Sequence, residues 1–103
     1  MLDLDIVYLP SFQQDIDSIT DYITYTLEAP KAASNLLDEL EKSIKDLKMF
    51  PLAHRLYRPI KPILTEYRVL TVKNYLVFYV VLEETIEIHR IIYKKRNLSQ
   101  LLK

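Results

Sequence analysis

The chain contains no glycine, no cysteine and no tryptophan among its 103 residues. Without cysteine it has no disulfides, thiolate metal ligands or sulfur nucleophile, which suits a reducing, cytoplasmic setting. Without glycine, a phosphate-cradling P-loop or a dinucleotide fingerprint lacks the residue that lets the backbone approach phosphates, so no nucleotide cofactor is expected. The two histidines, His54 and His89, lie too far apart in sequence for a metal-ligand spacing, and no metal is expected either. The longest apolar run, Tyr75–Leu82, falls far short of a membrane span, and the N-terminus lacks a signal peptide's basic-then-apolar pattern.

Charge is missing by sign as well. Residues 1–50 have no arginine and residues 51–103 no aspartate. The first half holds four Lys against ten Asp or Glu, a net of −6, and the second ten Lys or Arg against four Glu, a net of +6. A basic half points to a polyanion or an acidic partner, unless it merely balances two solvated acidic helices. The length suits one domain over 1–103 with a single core.

What is present reads in order. Asp3–Leu9 alternates as a strand and stops at Pro10. Ser11 and Gln14 have the spacing of a capping box, and Phe12, Ile16, Ile19, Ile23 and Leu27 follow as one helical stripe. Pro30 suits the first turn of a second helix, whose Ala33, Leu36, Leu37, Leu40, Ile44 and Leu47 repeat until Phe50-Pro51. Leu52–Thr65 reads as a loop. Three strands then follow, Tyr67–Lys73, Tyr75–Leu82 and Ile86–Tyr93, with Asn74 expected to take the positive φ of the first turn. The order is β-α-α-β-β-β, an α+β fold with an antiparallel helix hairpin on a small, mainly antiparallel sheet. Leu98–Leu102 would dock as a short final helix or tail. Leu36, Leu40 and Ile44 are expected to share one core with Phe78 and Val80. In the last strand simple alternation would bury Arg90, so either a bulge shifts the phase near His89 or Arg90 lies at a sheet margin.

The basic end of the meander is the candidate site. Cleaving RNA without a metal needs cations around the phosphate, a base for the 2′-hydroxyl and an acid for the leaving oxygen. Arg68 and Arg96 can grip phosphate bidentately, Lys94 or Lys95 can add point charge, and Tyr93 or a histidine can move a proton. Tyr75 or Tyr79 can stack on a base. Each has a structural alternative: Arg68 pairing with Glu66 or Glu87, Tyr75 and Tyr79 in the core, Lys94-Lys95-Arg96 as a solvated strand end, His54 as a plain surface histidine.

The helix hairpin, the Leu47-x-x-Phe50-Pro51 stop, Tyr67-Arg68-Val69-Leu70, Asn74–Tyr79 and Ile88–Asn97 together resemble the RelE/ParE superfamily of toxins from bacterial type II toxin–antitoxin modules. In that family the last stretch often runs from an apolar-flanked arginine to His-x-x-Arg-Asp. Here Arg90 and Arg96 match, Tyr93 takes the place of the histidine and Asn97 that of the aspartate. The resemblance implies a toxin with a cognate antitoxin and no cofactor. Its leading implied activity is ribosome-dependent cleavage of mRNA, as in RelE-like members, with Arg68, Tyr93 and Arg96 as catalytic residues. Arg90, Lys94, Lys95, His54 and Arg55 would contact RNA. The alternatives are ParE-like inhibition of DNA gyrase without nuclease activity, and a degenerate toxin that keeps only antitoxin binding. Two positions depart from the pattern. Leu76 stands where RelE has an arginine, and Ala53 stands near a usual glycine.

Overall fold

The computed structural model describes residues 4–59 and 63–95. Its elements are β1 (Asp5–Tyr8), α1 (Pro10–Asp21), α2 (Pro30–Met49), β2 (Arg68–Val72), β3 (Tyr75–Val81) and β4 (Thr85–Tyr93). The strands form one sheet in the order β1-β4-β3-β2, with β2, β3 and β4 antiparallel and β1 parallel to β4. This is the expected α+β arrangement. The tail Leu98–Leu102 lies outside the described residues, as do Arg96 and Asn97.

The start of α1 differs from the sequence reading. Leu9 is the N-cap, Pro10 opens the helix, and no side chain caps it. Ser11 cannot close the capping box because its Oγ donates instead to the carbonyl of His89 on β4, at 2.7 Å. After Asp21 the helix widens into a π turn, Tyr22–Thr26, closed by Leu27 N–H to the carbonyl of Tyr22 at 3.0 Å. A π turn advances fewer degrees per residue than an α turn. Ile23 therefore stays in the core while Leu27, at α-helical spacing on the stripe, is exposed.

Lacking glycine, the chain puts other residues in left-handed backbone. Glu28 (φ 52°) reverses it before α2, and Lys73 (φ 53°), not Asn74, takes the positive φ of the β2–β3 turn. Lys94 N–H then donates to the Asn74 carbonyl at 3.0 Å, tying the end of β4 to that turn.

The helix hairpin covers one sheet face. Leu36, Leu40, Ile44 and Leu47 of α2 and Phe12, Ile16 and Ile23 of the first helix pack there on Leu70, Val77, Tyr79, Ile86, Ile88 and Ile91. Phe78 belongs to the other face, contrary to expectation. It forms a second small core with Val69, Leu76 and Ile92, closed by Tyr57, Ile63 and Tyr67. Val80, two residues along β3, is half-buried and outside the helix-side core. Alternation along β3 makes the choice: Val77 and Tyr79 face the helices, so Phe78 and Val80 cannot. The described start of the loop after α2 is tied to the sheet, which its prolines do not suggest. Tyr57 N–H donates to the Tyr67 carbonyl at 2.8 Å and Val69 N–H to that of Arg55 at 3.0 Å, so the loop runs beside β2.

Candidate functional site

Arg90 resolves the broken alternation of β4, and both sequence explanations hold together. Tyr79 pairs with Ile88 while Phe78 pairs with Arg90, so His89 is the extra residue of a β-bulge. Ile88 and Ile91 both face the helices across the bulge; His89 faces away by ordinary alternation, and the bulge turns Arg90 out of that core as well. Arg90 also sits at a margin, because the pairing of β1 ends at Tyr8 opposite Ile88. Beyond that point α1 replaces β1 beside β4. Leu9 N–H donates to the Ile88 carbonyl at 3.0 Å, Ser11 Oγ to that of His89, and Ile91 N–H to Asp15 Oδ2 at 3.1 Å.

Asp15 holds the Arg90 guanidinium through Nε at 2.6 Å and Nη2 at 2.9 Å. Those hydrogen bonds raise the Arg90 pKa above its ordinary value, against the opposing effect of burial.

His89 is the middle of a three-residue chain. Its Nε2 lies 3.0 Å from Glu87 Oε1 and its Nδ1 3.0 Å from the Tyr67 hydroxyl. A carboxylate can only accept, so Nε2 is the donor to Glu87, and the tautomer protonated there alone has Nδ1 placed to accept from the Tyr67 hydroxyl. The rings of Tyr67 and His89 meet edge-on, and Tyr67 also meets Phe78 edge-on. Burial raises the Tyr67 pKa, with Arg90 opposing it. This chain can pass a proton from a phenol to an imidazole held by a carboxylate. The sequence reading weighed His89 but did not join it to Tyr67 and Glu87. Glu87 and His89 share a face by plain alternation along β4, and Tyr67 reaches them only through the pairing of β2, β3 and β4, which the sequence does not display.

The sequence-predicted cations are not gathered in one place. Arg68 pairs in register with Tyr79, at the end of the sheet near the loop that leaves α2. Its Nη1 donates to the carbonyl of His54 at 2.8 Å and more weakly to that of Leu52 at 3.4 Å, with neither Glu66 nor Glu87 as a partner. Beside it Tyr79 is wholly buried and donates its hydroxyl to the Pro51 carbonyl at 3.0 Å. Burial pushes the Tyr79 pKa up to about 12, although the nearby Arg68 charge pulls it down. Tyr79 is therefore core and not a stacking platform. His54 meets the Tyr79 ring edge-on, and the Arg55 side chain is exposed nearby.

Tyr93 stands at the other end. It pairs in register with Tyr75, their rings meet edge-on at 5.7 Å between centroids, and exposed Lys94 and Lys95 follow it. Burial is the main cause raising the Tyr75 pKa. Tyr75 and Tyr79 are four residues apart on β3, so Arg68 and Tyr93 are separated by about 13 Å along the strand direction alone. The structure does not bring them together.

A groove of about 830 Å³ opens at the Tyr93 end. Ile19, Tyr22, Ile23 and Leu27 line one wall, Ala29, Ala32 and Leu36 another, and Lys73, Tyr75 and Tyr93 the third. Among the described residues no His, Asp and Glu side chains group as metal ligands would, and no helix is long and apolar enough to cross a membrane.

Comparison with known proteins adds a family. The chain matches, over residues 6–98, the family described as the ParE toxin of the type II toxin–antitoxin system parDE. Its fold is similar to a solved chain from the chromosomal ParDE toxin–antitoxin system of P. aeruginosa, with a TM-score of 0.70 at 19% identity. That match covers 88% of this chain and 96% of the other. Among curated proteins, none matches.

Proposed function

The chain belongs to the ParE toxin family of type II toxin–antitoxin systems, and on that premise we propose that it inhibits DNA gyrase and cuts no RNA. The match to the ParE family, over nine-tenths of the chain, carries this reading above the ribosome-dependent nuclease. Geometry supports it. A metal-independent nuclease needs its phosphate-gripping cations and its proton-transfer groups around one phosphate. Here Arg68 is spent on loop carbonyls, Arg90 is bound by Asp15, and Tyr93 lies at the far end of the sheet. On this reading Arg55, Arg90, Lys94 and Lys95 serve structure and binding, not catalysis.

The cognate antitoxin is the second proposed partner. The groove beside Tyr93 has the apolar walls for a segment that folds on binding, and Lys73 at its rim with Lys94 and Lys95 beyond Tyr93 favours an acidic one. Complex affinity should therefore fall with added salt; an affinity indifferent to ionic strength would remove the electrostatic part of the proposal.

Two assays on the purified chain separate the targets. Supercoiling by gyrase should be blocked while mRNA on translating ribosomes stays intact. Cleaved ribosome-bound mRNA with unaffected supercoiling would instead make it a nuclease. Tyr67, His89 and Glu87 would then be the first proton-transfer groups to replace.

A further inference from the structure

We propose that the end of α2 and the loop that follows it form a preformed docking knob, in which Met49, Phe50 and Leu52 enter an apolar pocket rimmed by carboxylates on a target protein. Three large apolar side chains within four residues are 61, 63 and 62% exposed there. Single exposed hydrophobics need no explanation, but a cluster of this kind marks an interaction surface.

The backbone beneath them is held from the sheet. The wholly buried Tyr79 hydroxyl takes the Pro51 carbonyl, and the Arg68 guanidinium takes those of His54 and Leu52. Ala53 N–H closes onto the Phe50 carbonyl at 3.2 Å, and the Arg55 carbonyl accepts from β2. A segment whose carbonyls are drawn inward by sheet side chains keeps its conformation while its apolar side chains face solvent. Rigid presentation lowers the entropy lost on binding, which is what a contact surface gains from such anchoring. Exposed Arg55 and Arg58 follow the knob in the loop, and Lys48 precedes it in the last turn of α2. An apolar centre flanked by cations is complementary to an apolar pocket with an acidic rim. Met49 and Leu52 beside Phe50 favour a protein pocket over nucleic acid, whose bases would call for flat aromatic platforms.

The knob is distinct from the groove beside Tyr93. They lie at opposite ends of α2, whose 20 residues span about 30 Å.

The proposal rests on the toxin reading but not on which target the toxin has. Its test is growth of cells expressing the chain without antitoxin. Phe50→Asp should raise the inducer level that halves growth by about tenfold or more, the loss expected when a central apolar anchor is removed. Phe50→Leu should stay near wild type, and Arg55→Glu with Arg58→Glu should act like Phe50→Asp. Met49→Ser with Leu52→Ser gives a second route should Phe50→Asp not fold. Wild-type toxicity in both disruptive apolar variants would overturn the knob. So would binding of a DNA duplex by the purified chain that Phe50→Asp abolishes, which would make the surface a nucleic-acid site. Supercoiling assays separate the two proposals. If Phe50→Asp loses toxicity while gyrase is untouched by the wild type, the knob stands and the gyrase reading fails. If both proteins block supercoiling equally, the knob fails and the gyrase reading stands.

Discussion

Asp15, in the second turn of α1, binds Arg90 of β4 through two guanidinium hydrogen bonds and accepts a third from the Ile91 N–H. One carboxylate thus neutralises the cation that the bulge turns out and satisfies a strand edge that β1 is too short to reach. The acidic first half and the basic second half of the chain meet here inside the fold, so part of the charge division serves folding.

Removing Asp15 should be costly. Both side chains are largely buried, at 16 and 24% exposure, and breaking one partner of a buried pair costs roughly 3–5 kcal/mol. Solvent access at this margin should bring Asp15→Ala to about 2–3 kcal/mol in urea unfolding. Adding Arg90→Ala should cost little more, because the remaining cation is then gone. Fully additive losses would show that the two residues act separately.

Tyr79 should make stability fall at high pH. Its folded pKa of about 12 lies above the ordinary 10.0. Below pH 10 both folded and unfolded chains keep the proton; between about 10 and 12 only the folded chain does, so unfolding releases a proton and stability declines through that window. Urea midpoints of Tyr79→Phe should decline less steeply there than those of the wild type. Equal slopes would mean that Tyr79 ionises freely in the folded state.

The two sheet faces should respond differently to truncation. Leu40→Ala empties space in the helix-side core and should cost about 2–5 kcal/mol, while Val80→Ala on the half-buried opposite side should cost under ~1.5 kcal/mol. A large loss at Val80 with none at Leu40 would reverse the assignment of faces.

Glycine should help where the chain has none. Glu28 and Lys73 hold left-handed backbone at φ 52° and 53°, a region that disfavours residues with a Cβ by about 1–2 kcal/mol. Glu28→Gly and Lys73→Gly should each raise the thermal midpoint, by up to about 1 kcal/mol in stability after glycine's own entropy cost. A drop in both would show that these side chains contribute more than the backbone strain removes.

The sequence by itself determined the order of elements, the stops at Pro10 and Phe50-Pro51, the helix stripes and the kinship with RelE/ParE toxins. These depend on local chemistry and short periods: proline's missing N–H, apolar residues every three or four positions, runs of β-branched and aromatic residues. Only the tertiary structure decided which side of the sheet each strand residue faces. A single extra residue at His89 reverses that phase, and its cause lies in pairing across strands. That reversal sent Arg90 to Asp15, while the pairing of β2, β3 and β4 brought Tyr67 to His89. The register of β3 likewise set Arg68 and Tyr93 at opposite ends, although their spacing in sequence and their chemistry suited one site. Residue type states what a side chain can do, while long-range pairing decides what stands beside it.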